Sequence, residues 1–230
     1  MKDVIINSVY FGVAISLASY FIGMYLKKKL KMSILNPLLV SIVLVIVFLV
    51  LFGIDYESYN RGGKYLSYLL TPATVCLAIP LYQQLELLKK NFKGIMIGIL
   101  TGVLTSLTSI LILSILFKLS HELYVSILPK SITTAIGIAV TDELGGISTV
   151  TVAVIVVTGI FGNVIGEDMC KRLKIKNPIS VGLAIGTSAH AMGTTKALEL
   201  GEIQGAMSSL SIAVAGLMTV VLAPVFANFL

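Results

Sequence analysis

The chain has 230 residues, 57% of them hydrophobic and only 12% charged, with a mean hydropathy of +0.99. Soluble domains carry roughly 25% charged residues, so this composition excludes a water-soluble globular fold and requires an integral membrane protein. The formal charge of +6 does not imply nucleic acid, because the cations cluster in short loops beside apolar runs, where Lys and Arg set topology and meet anionic lipid.

Uncharged runs occupy Val4–Leu26, Met32–Ile54, Tyr65–Leu85, Gly94–Phe117, Leu144–Gly166, Asn177–Thr195 and Ile203–Leu230. Each reaches the roughly 17–25 residues that carry a helix across a bilayer, so an all-α fold with about seven crossings is expected. The first run exceeds the apolar core of a cleavable signal, and Lys27-Lys28-Lys29 follows it in place of a small-residue cleavage site. It is expected to remain as a span. The third run is interrupted by Pro72 and Pro80, with Thr71 and Thr74 beside the first break. A shorter run, Ser131–Thr141, lies between Lys130 and Asp142, and its length suits a re-entrant segment better than a crossing.

Three loops are basic: Lys27–Lys31, Lys89–Lys93 and Lys171–Lys176. The positive-inside rule places all three in the cytoplasm. Three full crossings between the second and third would break that parity. The short segment is therefore expected to dip in from the outer face and return, with Pro129 and Gly145-Gly146 at its ends. The N-terminus then lies outside and the C-terminus in the cytoplasm.

The most informative run is Asn177–Thr195. It is rich in Gly, Ser and Thr and holds His190, one of 2 histidines. Irregular backbone at membrane depth is tolerated only where protein covers it or a wet cavity adjoins it, and transporters place substrates at such broken helices. Thr74–Leu87 laid over Thr187–Leu200 matches at Thr74/Thr187, Ala78/Ala191, Leu85/Leu198, Glu86/Glu199 and Leu87/Leu200. Two broken helices of opposite direction at the midplane imply inverted repeats, with halves of about 32–118 and 123–230 in a single membrane domain spanning 1–230.

The polar motifs, in order, resemble those of the LrgB/CidB family of bacterial membrane proteins, which includes plastidial glycolate/glycerate carriers. They are Asn36-Pro37-Leu38-Leu39, Leu70-Thr71-Pro72-Ala73-Thr74 with Ala78-Ile79-Pro80-Leu81-Tyr82, Leu128-Pro129-Lys130-Ser131 with Thr133-Thr134, Gly186 to Thr194, and Glu202 to Leu210. The resemblance implies transport of small monocarboxylates of the glycolate, glycerate and pyruvate class. It equally implies the alternative: an antiholin- or holin-like modulator of murein hydrolase activity and autolysis. Either role implies a separate small membrane partner of the LrgA/CidA type and residence in the bacterial cytoplasmic membrane.

The residues themselves favour a carrier of a small anion. Half-helix N-termini offer free N–H groups and partial positive charge to a carboxylate that has shed its water. Thr71, Thr74, Thr187 and Ser188 stand beside the breaks, as donors to substrate or as bonds to their own helices. Lys130 could supply the counter-charge or snorkel to the interface, and Ser131, Thr133 and Thr134 beside it favour a site. His190 could bind substrate, carry a coupling proton or bridge two helices, and Glu199 is a second candidate for the proton. Cys76 and Cys170 lie on different segments without metal spacing, so neither metal nor cofactor is expected. Ser188 and His190 lack an acidic orienter in their segment, so catalysis is not expected. A homo-oligomer is expected from the scaffold that a sliding transport domain needs.

Overall fold

The computed structural model describes residues 8–30, 37–76 and 78–230, without the side chains of Leu70, Thr71, Thr74, Pro80 and Leu81. The described residues are all-helical outside loops and turns, and four helices are long and apolar enough to cross a membrane: Val9–Leu30, Phe92–Leu116, Ser148–Arg172 and Glu202–Ala227. The protein is an all-α, multi-pass membrane protein. It divides into two compact units, residues 1–76 and 77–230.

In the N-terminal unit, α1 (Val9–Leu30) packs against α2 (Pro37–Phe52) and α3 (Tyr56–Ser67). Small residues allow the close approach: a Cβ on Gly12 would overlap the backbone of Tyr59 and Gly63. The Ser16 hydroxyl lies 2.8 Å from the Tyr59 hydroxyl. Asp55 caps α3 by accepting from the Ser58 N–H at 2.7 Å, and that bond holds its carboxyl below the usual carboxylate range. Polar Glu57, Asn60, Arg61 and Lys64 share α3 with Tyr56, Tyr59 and Tyr65, a composition suited to the membrane interface. The interrupted third run continues as α4 (Leu70–Cys76).

The C-terminal unit holds α5 (Ala78–Gln83), α6 (Leu85–Lys90), α7 (Phe92–Leu116), α8 (His121–Ile127), α9 (Thr134–Glu143), α10 (Ser148–Arg172), α11 (Pro178–Leu200) and α12 (Glu202–Ala227). Its core joins α7, α8 and α12 through Ile99, Val103, Leu107, Tyr124, Leu128, Met207 and Ala215.

The segment from α8 to α9 folds back on itself. Were residues 126–147 one helix, its ends would stand about 30 Å apart at 1.5 Å per residue. Instead the Ile147 N–H donates to the Ser126 hydroxyl at 2.7 Å, and the Thr151 hydroxyl donates to the Ser126 carbonyl at 2.8 Å. Gly145, at φ 73°, makes the turn into α10. This is a re-entrant hairpin, hairpin one, with Pro129–Thr133 at its tip.

Helix α11 also folds back, and here the sequence expectation is corrected. Its backbone breaks at Ala189 (φ −131°, ψ 15°) and His190 (φ 42°, ψ −139°). On the first leg Gly182 lies against Gln204 and Met207, and Gly186 lies against Ser208. On the second leg Thr194 bonds the same Ser208 at 2.7 Å, and Leu198 packs on Gly205. In a continuous helix Gly182 and Leu198 would be about 24 Å apart. The run Asn177–Thr195 is therefore not a crossing but hairpin two, with its tip at Ala189–His190. Both its ends lie beside the basic end of α10, where Glu167 pairs with Lys196 at 2.7 Å and Cys170 packs with Val181 and Ala197.

Helices α7 and α12 consequently run parallel. Tyr124, just beyond the C-terminal end of α7, donates to the carbonyl of Phe226 near the C-terminal end of α12 at 2.8 Å. Residue 227 ends at the face opposite Lys171–Lys176, not beside it. Each hairpin is followed by a crossing helix, and the two pairs, 121–172 and 178–227, enter from opposite faces.

Candidate functional site

The two tips approach each other midway along α7, α10 and α12. Leu128, Ser131 and Ile132 of hairpin one, Thr187 of hairpin two, Val103, Ser106 and Leu107 of α7, and Ala215 and Thr219 of α12 enclose a space of about 10 Å³, room for about one water. A larger groove of about 440 Å³ runs along α10 from Val157 to Leu173. Ala184, Ile185 and Ser188 of hairpin two form its other wall, and Lys130 lies at its inner end.

Lys130 is the charge at this site. Its ammonium donates to the Ser131 hydroxyl at 2.9 Å, and that hydroxyl lies 3.3 Å from the Ser106 hydroxyl. Among the described residues no carboxylate pairs with Lys130; the ion pairs run among Glu167, Lys171, Lys196 and Glu199. Lys130 is partly exposed, on the wall of the larger groove. Thr133 stands extended at the N-cap of α9 with no side-chain bond to that helix, and Thr134 is its first residue.

Thr187 and Ser188 end the first leg of hairpin two. Thr187 donates to the Leu183 carbonyl and Ser188 to the Ala184 carbonyl, both at 2.7 Å. Their protons are committed to their own helix, so towards the tips these oxygens present lone pairs. His190 uses Nε2 to donate to the Ile155 carbonyl of α10 at 3.0 Å. That bond ties hairpin two to α10. Gly159 and Gly162 allow this approach: a Cβ on Gly159 would stand 2.7 Å from His190 Cε1, and one on Gly162 would overlap the Ala189 side chain. Asn163 adds a bond from Nδ2 to the Met192 carbonyl at 2.7 Å.

Hairpin one therefore brings Lys130 and Ser131 to the place where hairpin two brings Thr187 and Ser188, with His190 near Lys130; Thr133 and Thr134 follow the tip in sequence and line neither of these spaces. Glu199 is not there: it bonds Lys196 at 3.4 Å near the basic end of α10. The side chains of Thr71 and Thr74 lie outside the described residues. Ser106 and Thr219 were missed by sequence reasoning. They sit in long apolar helices, where a lone hydroxyl usually bonds its own backbone, as Thr219 does to Ala215 at 2.7 Å.

A family model described as the LrgB-like family matches residues 16–229. The chain is 40% identical over 224 residues to the antiholin-like protein LrgB of Bacillus subtilis, covering 97% of each chain. It is 38% identical over 222 residues to the proteins of the same name from Bacillus mycoides and Bacillus cereus, covering 96% of each. No solved structure matches the chain.

Proposed function

Because the chain belongs to the LrgB-like family, we propose that it acts in the antiholin-like role that its relatives' names describe for them, and that its molecular activity is carriage of a small monocarboxylate. The first part rests on near full-length similarity. The second rests on one observation: Lys130, with no carboxylate partner among the described residues, at the meeting point of two opposed hairpins.

The carboxylate of glycolate, glycerate or pyruvate neutralises the Lys130 ammonium, and Ser131, Thr133 and Thr134 supply donors at the N-terminal end of α9. Ser188 borders the same place from hairpin two. The groove along α10 supplies the approach from the basic end, which the positive-inside rule assigns to the cytoplasm. On that assignment the last residues of α12 lie outside, because hairpin two does not cross. Residence is the bacterial cytoplasmic membrane, the partner is a small LrgA/CidA-type membrane protein, and a homo-oligomer anchors the moving unit. No step here is catalytic.

The test is uptake of labelled pyruvate, glycolate and glycerate by proteoliposomes containing the full chain, alone and with the partner. Saturable uptake of one acid, competed by the others and lost in Lys130→Ala, is expected. No flux under any condition, beside an autolysis phenotype in cells, leaves the antiholin-like role without the carrier.

A further inference from the structure

We propose that Lys130 is itself the group that couples substrate to a proton, a proposal that rests on the carrier reading above. The two groups nominated from sequence are otherwise engaged. The Nε2 of His190 is committed to the Ile155 carbonyl, and Glu199 belongs to the ion-pair chain at the basic end of α10. Around the tip of hairpin one, α7 presents Ser106, α10 presents Thr158, α12 presents Thr219, and hairpin two presents Ser188 and His190. Of these only His190 titrates. The acids of hairpin one, Asp142 and Glu143, lie at its neck, where Ser148 donates to Asp142.

This placement makes net charge the gate. An unpaired ammonium is expensive to move through a low-dielectric interior, whereas a neutral amine and an ammonium–carboxylate pair each carry no net charge. Two forms of the tip can therefore change sides. The loaded form holds R–COO⁻ against the Lys130 –NH₃⁺, and the empty form carries Lys130 as –NH₂. At the receiving face the carboxylate leaves, one ammonium N–H bond breaks, and the proton passes to water. At the other face the amine lone pair takes a proton from water before the next carboxylate binds. Each cycle moves one carboxylate and one proton and no net charge.

The experiment uses the full chain in proteoliposomes with labelled pyruvate. Uptake driven by an inside-alkaline pH gradient is measured beside counterflow exchange at equal pH. Arginine stays protonated in proteins, so Lys130→Arg keeps the anion site and removes the neutral empty form. It is expected to lower gradient-driven uptake by on the order of a hundredfold more than it lowers counterflow. Glu199→Gln keeps the response to the gradient. In the unaltered chain, an external pH dye should report one proton per pyruvate, and a potassium diffusion potential should leave uptake unchanged. Gradient-driven accumulation by Lys130→Arg, loss of coupling in Glu199→Gln, or uptake that follows the membrane potential overturns the proposal. Exchange without any proton movement does so too while sparing the carrier reading. Only a natural chain silent in both assays sinks that reading itself.

Discussion

The two hairpins solve one problem, a polypeptide turn in the middle of a membrane, with different materials. Hairpin one keeps a charge at its tip, Lys130, and closes its neck with hydroxyls: Ser126 meets Ile147, and Thr141 meets Thr151 at 2.8 Å. Hairpin two carries no charge at its tip. It relies on close packing of Gly162 against Ala189 and of Gly182 and Gly186 against α12, and it holds His190 at a positive φ. Chemistry is concentrated in the first and mechanical strain in the second. Under the carrier role proposed above, the group that recognises the ion is separate from the joint that has to give.

The contrast is sharpest for the glycines of hairpin two. A Cβ on Gly186 would stand 2.7 Å from the Ser208 carbonyl oxygen and 2.8 Å from its Cα, atoms that cannot swing aside. Gly186→Leu is expected to abolish folded protein in the membrane, and overpacking of this kind typically costs about 1–3 kcal/mol or more. Detergent-extracted yield and a thermal aggregation curve measure it. Lys130→Ala should show the opposite profile, normal yield with uptake lost, if hairpin one carries recognition without carrying stability. Equal losses of yield in both variants would erase the distinction.

His190 provides a finer test of stored strain. Its φ of 42° is a conformation that costs a non-glycine residue about 1–3 kcal/mol, against roughly 1 kcal/mol for its bond to Ile155. His190→Gly should therefore melt no lower than His190→Ala, which keeps the strain and loses the bond. A glycine variant that melts several degrees below the alanine variant would show that the ring's packing, and not the backbone, dominates.

Two smaller effects lie away from the tips. Glu167→Gln removes the pairing with Lys196 at the neck of hairpin two, and such partly exposed pairs contribute less than about 1 kcal/mol. A small drop in melting temperature that disappears in high salt is expected. Asp55 caps α3 in the N-terminal unit, and its carboxyl titrates below its unfolded value. Its contribution is thus present above the unfolded pKa of about 3.9 and is lost as pH falls through the lower folded value. Asp55→Ala should weaken protease resistance of α3 at neutral pH and change nothing at strongly acid pH.

Much of this was readable from residues alone. The cations of Lys171–Lys176, set against those of Lys89–Lys93, demanded an even number of crossings between them, and that parity correctly predicted that Ser131–Thr141 turns back. Lys130 was readable two ways, as a counter-charge for substrate or as an anchor snorkelling to the interface, and Ser131, Thr133 and Thr134 beside it favoured a site. Hairpin two was not readable as a hairpin. Residue counting measures length and not direction, and Asn177–Thr195 has the length of a span. Its many glycines announced close packing without saying against what, and only the shared contacts of Gly186 and Thr194 with Ser208 show that the legs double back. Ser106 and Thr219 were hidden for a related reason, since nothing local distinguishes a hydroxyl that serves its own turn from one that borders a site.

The dependence of hairpin one on later parts of the chain sets an order on biosynthesis. Its tip is completed by Thr187, Ala215 and Thr219, none of which exists when Lys130 leaves the ribosome. For the time needed to make those residues, at roughly 5–20 residues per second, a charged, half-covered loop waits at the membrane for its second wall. The tip of hairpin one therefore stays incomplete until α12 itself has been made.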